Sequence, residues 1–280
     1  WVDAMRTAFA AFALLLACCT TTPAARPAGE RRLVVLHASD LEVELVADPA
    51  ADHGGIERFV RVLRALRAQA AAPTIAVAAG DVFMPAPALA VEVDGARAID
   101  RALALAAFDA SALGNHEFDR GPAFLAERIR ASGMPWLSAT LRFGEGPLGG
   151  LAAGRTGAPP ALEAHRGRIL PSGRLCAGVR GPEGCAGLEV GVIGATTELL
   201  GTIANADLDA TPAPGFDALL AMVQAEADAL AAAGVDVVVL LSHLQDVRQE
   251  IRLVEAGLRG VDVIVSGGGD DRLADPAHRL

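Results

Sequence analysis

Lysine and tyrosine are missing from this 280-residue chain, so all 24 of its Lys-or-Arg positions are arginine. Beside the abundance of alanine, that bias carries no functional signal of its own. Positive charge is also outnumbered: 34 Asp and Glu face 24 Arg, giving a formal net charge of -10 and a pI near 5.1. Nucleic acid is thereby excluded as a partner, because a phosphate backbone calls for a basic face. The apolar run at residues 8–17 is ten residues long, half of the roughly 20 that a membrane-spanning helix needs. No repeat of fixed period is present, which removes solenoids and arrays. Disorder is excluded by a hydrophobic content of 52% against 21% charged residues. What is present is enough chain for one large α/β domain with a proper core.

The N-terminus reads as an export signal. Met5 and Arg6 precede the apolar run, and Leu15-Leu16-Ala17-Cys18 resembles the lipobox of bacterial lipoprotein signals. Cleavage before Cys18 makes residues 1–17 a signal peptide and lipidates the new terminal thiol. Residues 18–30, rich in Thr, Pro and Ala, are then a flexible tether, and 31–280 form the folded domain. The protein is expected in a bacterial cell envelope or periplasm, touching the membrane only through a lipid anchor at Cys18. An ordinary cleaved signal with Cys18 and Cys19 incidental is the alternative.

From Arg31 onward, strand and helix patterns alternate. Strands are expected at 33–36, 74–79, 111–113, 188–193, 235–241 and 261–265. Helices are expected at 56–70, 95–107, 122–131 and 216–233, with a further one around Leu253. Arg58, Arg61, Arg64 and Arg67 line the solvated face of the first helix. Alternation implies a largely parallel sheet covered on both faces, with ligands held outside the carboxyl ends of its strands. The residues placed there are Ser39-Asp40-Leu41-Glu42, Gly80-Asp81, Gly114-Asn115-His116-Glu117-Phe118-Asp119, Ser242-His243 and Ser266-Gly267-Gly268-Gly269-Asp270. One carboxylate at such a position is ordinarily a helix cap, the role expected of Asp94 and Asp246, and the Asn115–Asp119 stretch by itself reads equally well as a capping turn. Five loops of ligand-type residues at one rim point instead to a metal centre.

The order Asp-x-Glu, Gly-Asp, Gly-Asn-His-Glu, Ser-His and a Gly-rich acidic turn resembles the calcineurin-type metallophosphoesterases, most closely their secreted 5'-nucleotidase branch. The resemblance spans residues 33–273, and Gly114 to Asp119 match the central motif without change. It implies a four-layer α/β/β/α sandwich with largely parallel central strands. It also implies two divalent metals and hydrolysis of phosphate monoesters by a metal-bound hydroxide. Two departures stand out: Glu42 replaces the His of an Asp-x-His motif, and Gly268 and Asp270 replace the two His of a Gly-His-x-His motif.

Carried over residue by residue, the first metal would be held by Asp40, Glu42, Asp81 and Asp270. The second would share Asp81 and add Asn115 and His243, with no protein donor at Gly268. Oxygen donors favour Mn²⁺ or Mg²⁺, with Ca²⁺ a third choice, over Zn²⁺. The resemblance gives His116 a catalytic place facing the substrate, where it stabilises the phosphoryl group or protonates the leaving oxygen. Asp119 orients its imidazole, and Glu117 is structural.

His37 is expected to be a buried, hydrogen-bonded residue. Cys176 and Cys185 are read as a hairpin disulfide of an exported protein, and residues 144–160 as a surface loop. Relatives of this type continue into a second, aromatic-lined domain that holds base and sugar. With 4% aromatics and an end at Leu280, that domain is expected to be absent or truncated. The expected substrate is a small phosphorylated molecule, a nucleotide first. A phosphodiesterase, sugar-nucleotide or sulfur-ester hydrolase, or a non-catalytic metal-binding envelope protein, are the alternatives.

Overall fold

Five consecutive residues show how the molecule is layered. Ile75, Ala76, Val77, Ala78 and Ala79 are all at most 1% exposed, although successive side chains of a strand point to opposite faces. Ile75, Val77 and Ala79 join one hydrophobic cluster while Ala76 and Ala78 join another. Both faces of this strand are therefore covered, as a parallel sheet requires.

The computed structural model describes residues 31–41, 47–48, 53–84, 87–154, 157–204 and 207–269. The expected signal peptide, Cys18, the tether, Glu42 and Asp270 lie outside these residues. Two sheets form the middle of the folded unit. The first comprises β1 (Val34–Ala38), β2 (Thr74–Ala78), β3 (Ala110–Ala112), β4 (Trp136–Leu137) and β5 (Ile169–Leu170), side by side in that order and all parallel. The second comprises β6 (Ser172–Gly181), β7 (Gly184–Thr196), β8 (Val237–His243) and β9 (Val263–Gly267), in which only the β6–β7 hairpin is antiparallel.

Helices α1 (Ile56–Gln69), α2 (Ala98–Ala106) and α3 (Gly121–Ser132) cover the first sheet through Val60, Leu63, Leu103, Leu125 and Ile129. Helices α4 (Phe216–Ala232) and α5 (Val247–Glu255) cover the second, with Leu219, Val223, Leu230 and Leu253 packed on Ile193, Val238 and Leu240. Between the sheets, Val77, Ala112 and Leu137 meet Val190, Val192, Val239 and Leu241. The result is the α/β/β/α order that the family resemblance implies. Strand–helix alternation alone implies a single sheet, because burial on both faces of a strand does not say whether helix or sheet provides the second cover. Among the described residues no helix is long and apolar enough to cross a membrane.

Several local expectations are corrected. Strands β4 and β5 have two residues each, too few to show any period. Asp94 does not cap a helix: it sits at φ 51° in the turn joining Glu92–Val93 to Ala96–Arg97, and α2 starts only at Ala98. Asp246 does cap, its carboxylate accepting the Arg248 N–H at 2.8 Å. Arg67 leaves the solvated stripe of α1 and pairs with Asp109 at 2.7 Å. His37 is exposed rather than buried, because β1 is an edge strand. The segment after Phe143 is more than a surface loop, since Leu148 and Leu151 are buried and the Asp209 carboxylate gathers the N–H groups of Gly146, Leu148 and Gly149.

The Cys176–Cys185 disulfide is formed, with Cα atoms 5.5 Å apart. The two residues are not ladder partners, since Cys176 lies opposite Glu189 and Cys185 opposite Arg180. The tip of the ribbon therefore folds back over its base, and Arg180 follows it to Glu189 at 3.0 Å. A closed loop of this length restricts the unfolded chain by about 2.5 kcal/mol. Cys185→Ser is expected to lower unfolding free energy by about that amount, measured by urea denaturation, while leaving metal binding unchanged.

Candidate metal centre

The carboxyl ends of four strands, with the turns that follow them, converge on one place. β1 leads to Asp40 and β2 to Asp81, and both residues hold left-handed backbone, at φ 52° and 50°. Such geometry is uncommon outside glycine, though Asp tolerates it better than most residues. The two turns are tied together by the Asp40 N–H donating to the Gly80 carbonyl at 3.1 Å. β8 ends on His243 itself, opposite Thr196 of β7 and Gly267 of β9. Asn115 follows β3 and is buried.

Ligand atoms of Asp40, Asp81 and His243 all lie within 4.8 Å of one another. The His243 ring is fully buried, and its Nδ1–H donates to the Ala79 carbonyl at 2.7 Å. That bond turns Nε2 toward Asp81 Oδ2 at 2.9 Å and Asn115 Oδ1 at 3.2 Å, the arrangement by which an outer hydrogen bond orients a metal-binding imidazole. Burial opposes a charge on His243, but the hydrogen bond and charge of Asp81 outweigh it and push its pKa up to about 9. The field that favours a proton on Nε2 equally favours a cation beside it. Two carboxylates, an amide oxygen and an imidazole nitrogen are thus gathered with hard-oxygen character predominating, a donor set that fits a divalent metal. Of the six residues expected as ligands, Asp40, Asp81, Asn115 and His243 come together, while Glu42 and Asp270 lie outside the described residues.

Gly114 is needed for close approach. A Cβ there would sit 2.2 Å from Asp81 Oδ1, so any side chain would displace a central carboxylate. Glu117, three residues on, holds the same turn from behind. Its buried carboxylate accepts the N–H groups of Asp81, Val82, Phe83 and Gly114 at 3.0, 2.7, 3.0 and 2.6 Å. Burial first, and the nearby charge of Asp81 second, raise its pKa to about 7. A structural role is what the sequence reading assigns to Glu117. The specific contact with the Asp81 turn, 36 residues earlier in the chain, is visible only in three dimensions.

His116 and Asp119 form a separate pair at the rim. His116 Nδ1 lies 2.6 Å from Asp119 Oδ2, with the His side chain 32% and the Asp side chain 7% exposed. Burial lowers the His116 pKa, but the Asp119 hydrogen bond and the charges of Asp81 and Asp119 raise it further than burial lowers it. The backbone N–H of His116 donates to Asp81 Oδ1 at 2.9 Å, which ties the turn carrying the imidazole to the Asp81 carboxylate. Gln245 is a residue that motif reading passes over. It follows His243 by two positions, stands at φ 72°, and donates from its side-chain amide to Asn115 Oδ1.

No family model matches the chain. A 5'-nucleotidase from the venom of Gloydius brevicauda is 28% identical over 255 residues, covering 86% of this chain and 37% of that protein. The structure of a 5'-nucleotidase precursor from Thermus thermophilus superposes with a TM-score of 0.64 at 26% identity, covering 84% of this chain and 41% of that one. A calcineurin-like phosphoesterase from Bacillus subtilis, 20% identical and covering 84% of this chain and 71% of that one, shares the fold with a TM-score of 0.61. The chain spans only 37% of the venom relative's length. The chain is thus similar in sequence to 5'-nucleotidases and shares the fold of a calcineurin-like phosphoesterase, with Asp40, Asp81, Asn115 and His243 gathered at one rim.

Proposed function

We propose that the chain hydrolyses phosphate monoesters, nucleotides first among them, at the cluster of Asp40, Asp81, Asn115 and His243. The observation that carries this reading is the division of labour at one rim. Four donors converge with His243 Nε2 aimed inward, and beside them stands a half-buried imidazole already oriented by a carboxylate. A centre built only to stabilise an envelope protein has no use for that second pair. Divalent metal at these donors would supply Lewis acidity and a more acidic water.

The chain's own residues do the rest. Asp81 would be shared between two metals, with Asn115 and His243 on the second; Glu42 and Asp270, outside the described residues, would belong to the first by the family resemblance alone. His116 reaches from the rim to the phosphoryl oxygens or the leaving oxygen, and Asp119 keeps its Nδ1 protonated so that Nε2 points outward. The nucleotide preference rests on the names of the relatives, and export rests on the Cys176–Cys185 disulfide, since such bonds persist in oxidising compartments. Anchoring through a lipid on Cys18 belongs to the same reading.

The donor set sets the metal preference. With at least three oxygen donors for each nitrogen, Mn²⁺ or Mg²⁺ should support activity better than Zn²⁺. Phosphate release from an aryl phosphate and from a panel of nucleotides, by apo-protein given each metal in turn, tests both halves of the proposal. Purified protein that carries two tightly held zinc ions would overturn the metal preference. No phosphate release with any metal would overturn the catalytic reading.

A further inference from the structure

The second half of the site looks one donor short, because Gly268 stands where the family pattern carries a metal-binding His. The structure shows what occupies that space. A Cβ built on Gly268, itself at φ 76°, would lie 2.4 Å from His243 Nε2 and 2.8 Å from the side-chain amide of Gln245. A side chain at 268 would therefore meet the buried His243 ring first and the end of the Gln245 side chain second, and glycine leaves both where they are. The end of Gln245 already touches Asn115 Oδ1, which is 3.2 Å from His243 Nε2.

The backbone points the same way. Among the described residues, six non-glycine residues have positive φ: Asp40, Asp81, Asp94, Ala107, Asp209 and Gln245. Aspartate and asparagine visit this region with little penalty, whereas a longer side chain such as glutamine does so against a steric cost. Strain of this kind persists where the surroundings impose it, and it gathers at functional sites. Glycine at 245 would remove the strain and also remove the amide.

We propose that Gln245 is a metal ligand, its side-chain carbonyl oxygen supplying the donor that Gly268 lacks, with Gly268 serving as the space that admits it. The proposal rests on the metal-dependent reading above. As placed, the Gln245 nitrogen donates to Asn115 Oδ1. A half-turn about the last side-chain bond exchanges nitrogen for oxygen within the same volume. A cation shared with Asn115 Oδ1 and His243 Nε2 selects the oxygen. The pair Gln245 and Gly268 is thus a compensated exchange: one loop gives up a ligand, and the loop after β8 provides one.

The test is calorimetric titration of the full chain with Mn²⁺, read as stoichiometry and two affinities, beside thermal unfolding of each protein without metal. Wild type should bind two ions. Gln245→Gly should weaken one of them at least tenfold, leave the other unchanged, and raise the unfolding temperature because the φ strain is gone. Gln245→Glu should keep the second ion or bind it more tightly, since a carboxylate oxygen replaces an amide oxygen. Two unchanged affinities in Gln245→Gly would overturn the proposal. So would a Gln245→Glu protein as weak as Gln245→Gly, because Gln245 would then act as a hydrogen-bond donor to Asn115. A wild-type chain that takes up one ion only overturns it as well, whereas one that binds no ion overturns the metal-dependent function itself.

Discussion

Asp81→Ala is expected to abolish metal uptake and hydrolysis together, and His116→Ala to reduce kcat by about two to four orders of magnitude with metal content unchanged. The geometry separates the two effects. Asp81 is 2% exposed, faces His243 Nε2 at 2.9 Å with one oxygen and receives the His116 N–H at 2.9 Å with the other. Removing it takes away a central donor and unfastens both neighbours. The His116 imidazole bonds only Asp119 among the interactions described for its ring, and the His116 backbone contact with Asp81 survives truncation of the side chain. Elemental analysis beside kcat and KM decides the matter. Loss of metal from His116→Ala, or near-normal turnover in it, would remove His116 from the catalytic role. Asp119→Asn should fall between wild type and His116→Ala, because it keeps the hydrogen-bonding shape but not the charge that holds the imidazole's proton.

The second large effect belongs to Glu117, which touches no substrate. Glu117→Ala strips the acceptor from four buried backbone N–H groups, and a buried donor left without a partner costs about 1–3 kcal/mol. Partial entry of water softens the sum, so a loss of about 4 kcal/mol in unfolding free energy is expected. Metal affinity should fall with it, because the turn carrying Asp81 is no longer held. Glu117→Gln should be intermediate: one end of the amide still accepts two N–H groups, while the other presents hydrogens to the remaining two. Equilibrium urea unfolding and Mn²⁺ titration measure both quantities. A Glu117→Ala protein within 1 kcal/mol of wild type would show that the four bonds are replaced by water at little expense.

Much of this was open to sequence reading, for identifiable reasons. Thr74 to Ala79 and Val237 to Leu241 are runs of apolar residues bounded by polar ones, and such runs become buried strands in almost any α/β context. The polar residues that follow them, Asp81 and His243 among them, then fall at the strand ends by chain connectivity alone. Phe216–Ala232 and Gly121–Ser132 form the expected helices within a residue or so, because their apolar spacing and the Pro near the start of the second are local signals. The hairpin tip is a different case: the spacing of Cys176 and Cys185 announces a pairing, but the ribbon's fold-back arises from β6 and β7 together.

What the sequence determined by itself was which residue types stand at the ends of which strands, since that depends only on the order of the chain and the period of its burial. Tertiary structure alone decided that two sheets, not one, face each other across Val77 and Val239. It also decided that Glu117 pins a turn 36 positions away, that His243 is oriented by the Ala79 carbonyl, and that the Gln245 amide reaches Asn115 beside Gly268. These are contacts of a few ångströms between residues far apart in the chain. Their geometry is set by how the sheets pack and where each loop is strained, and no local pattern of residues records it.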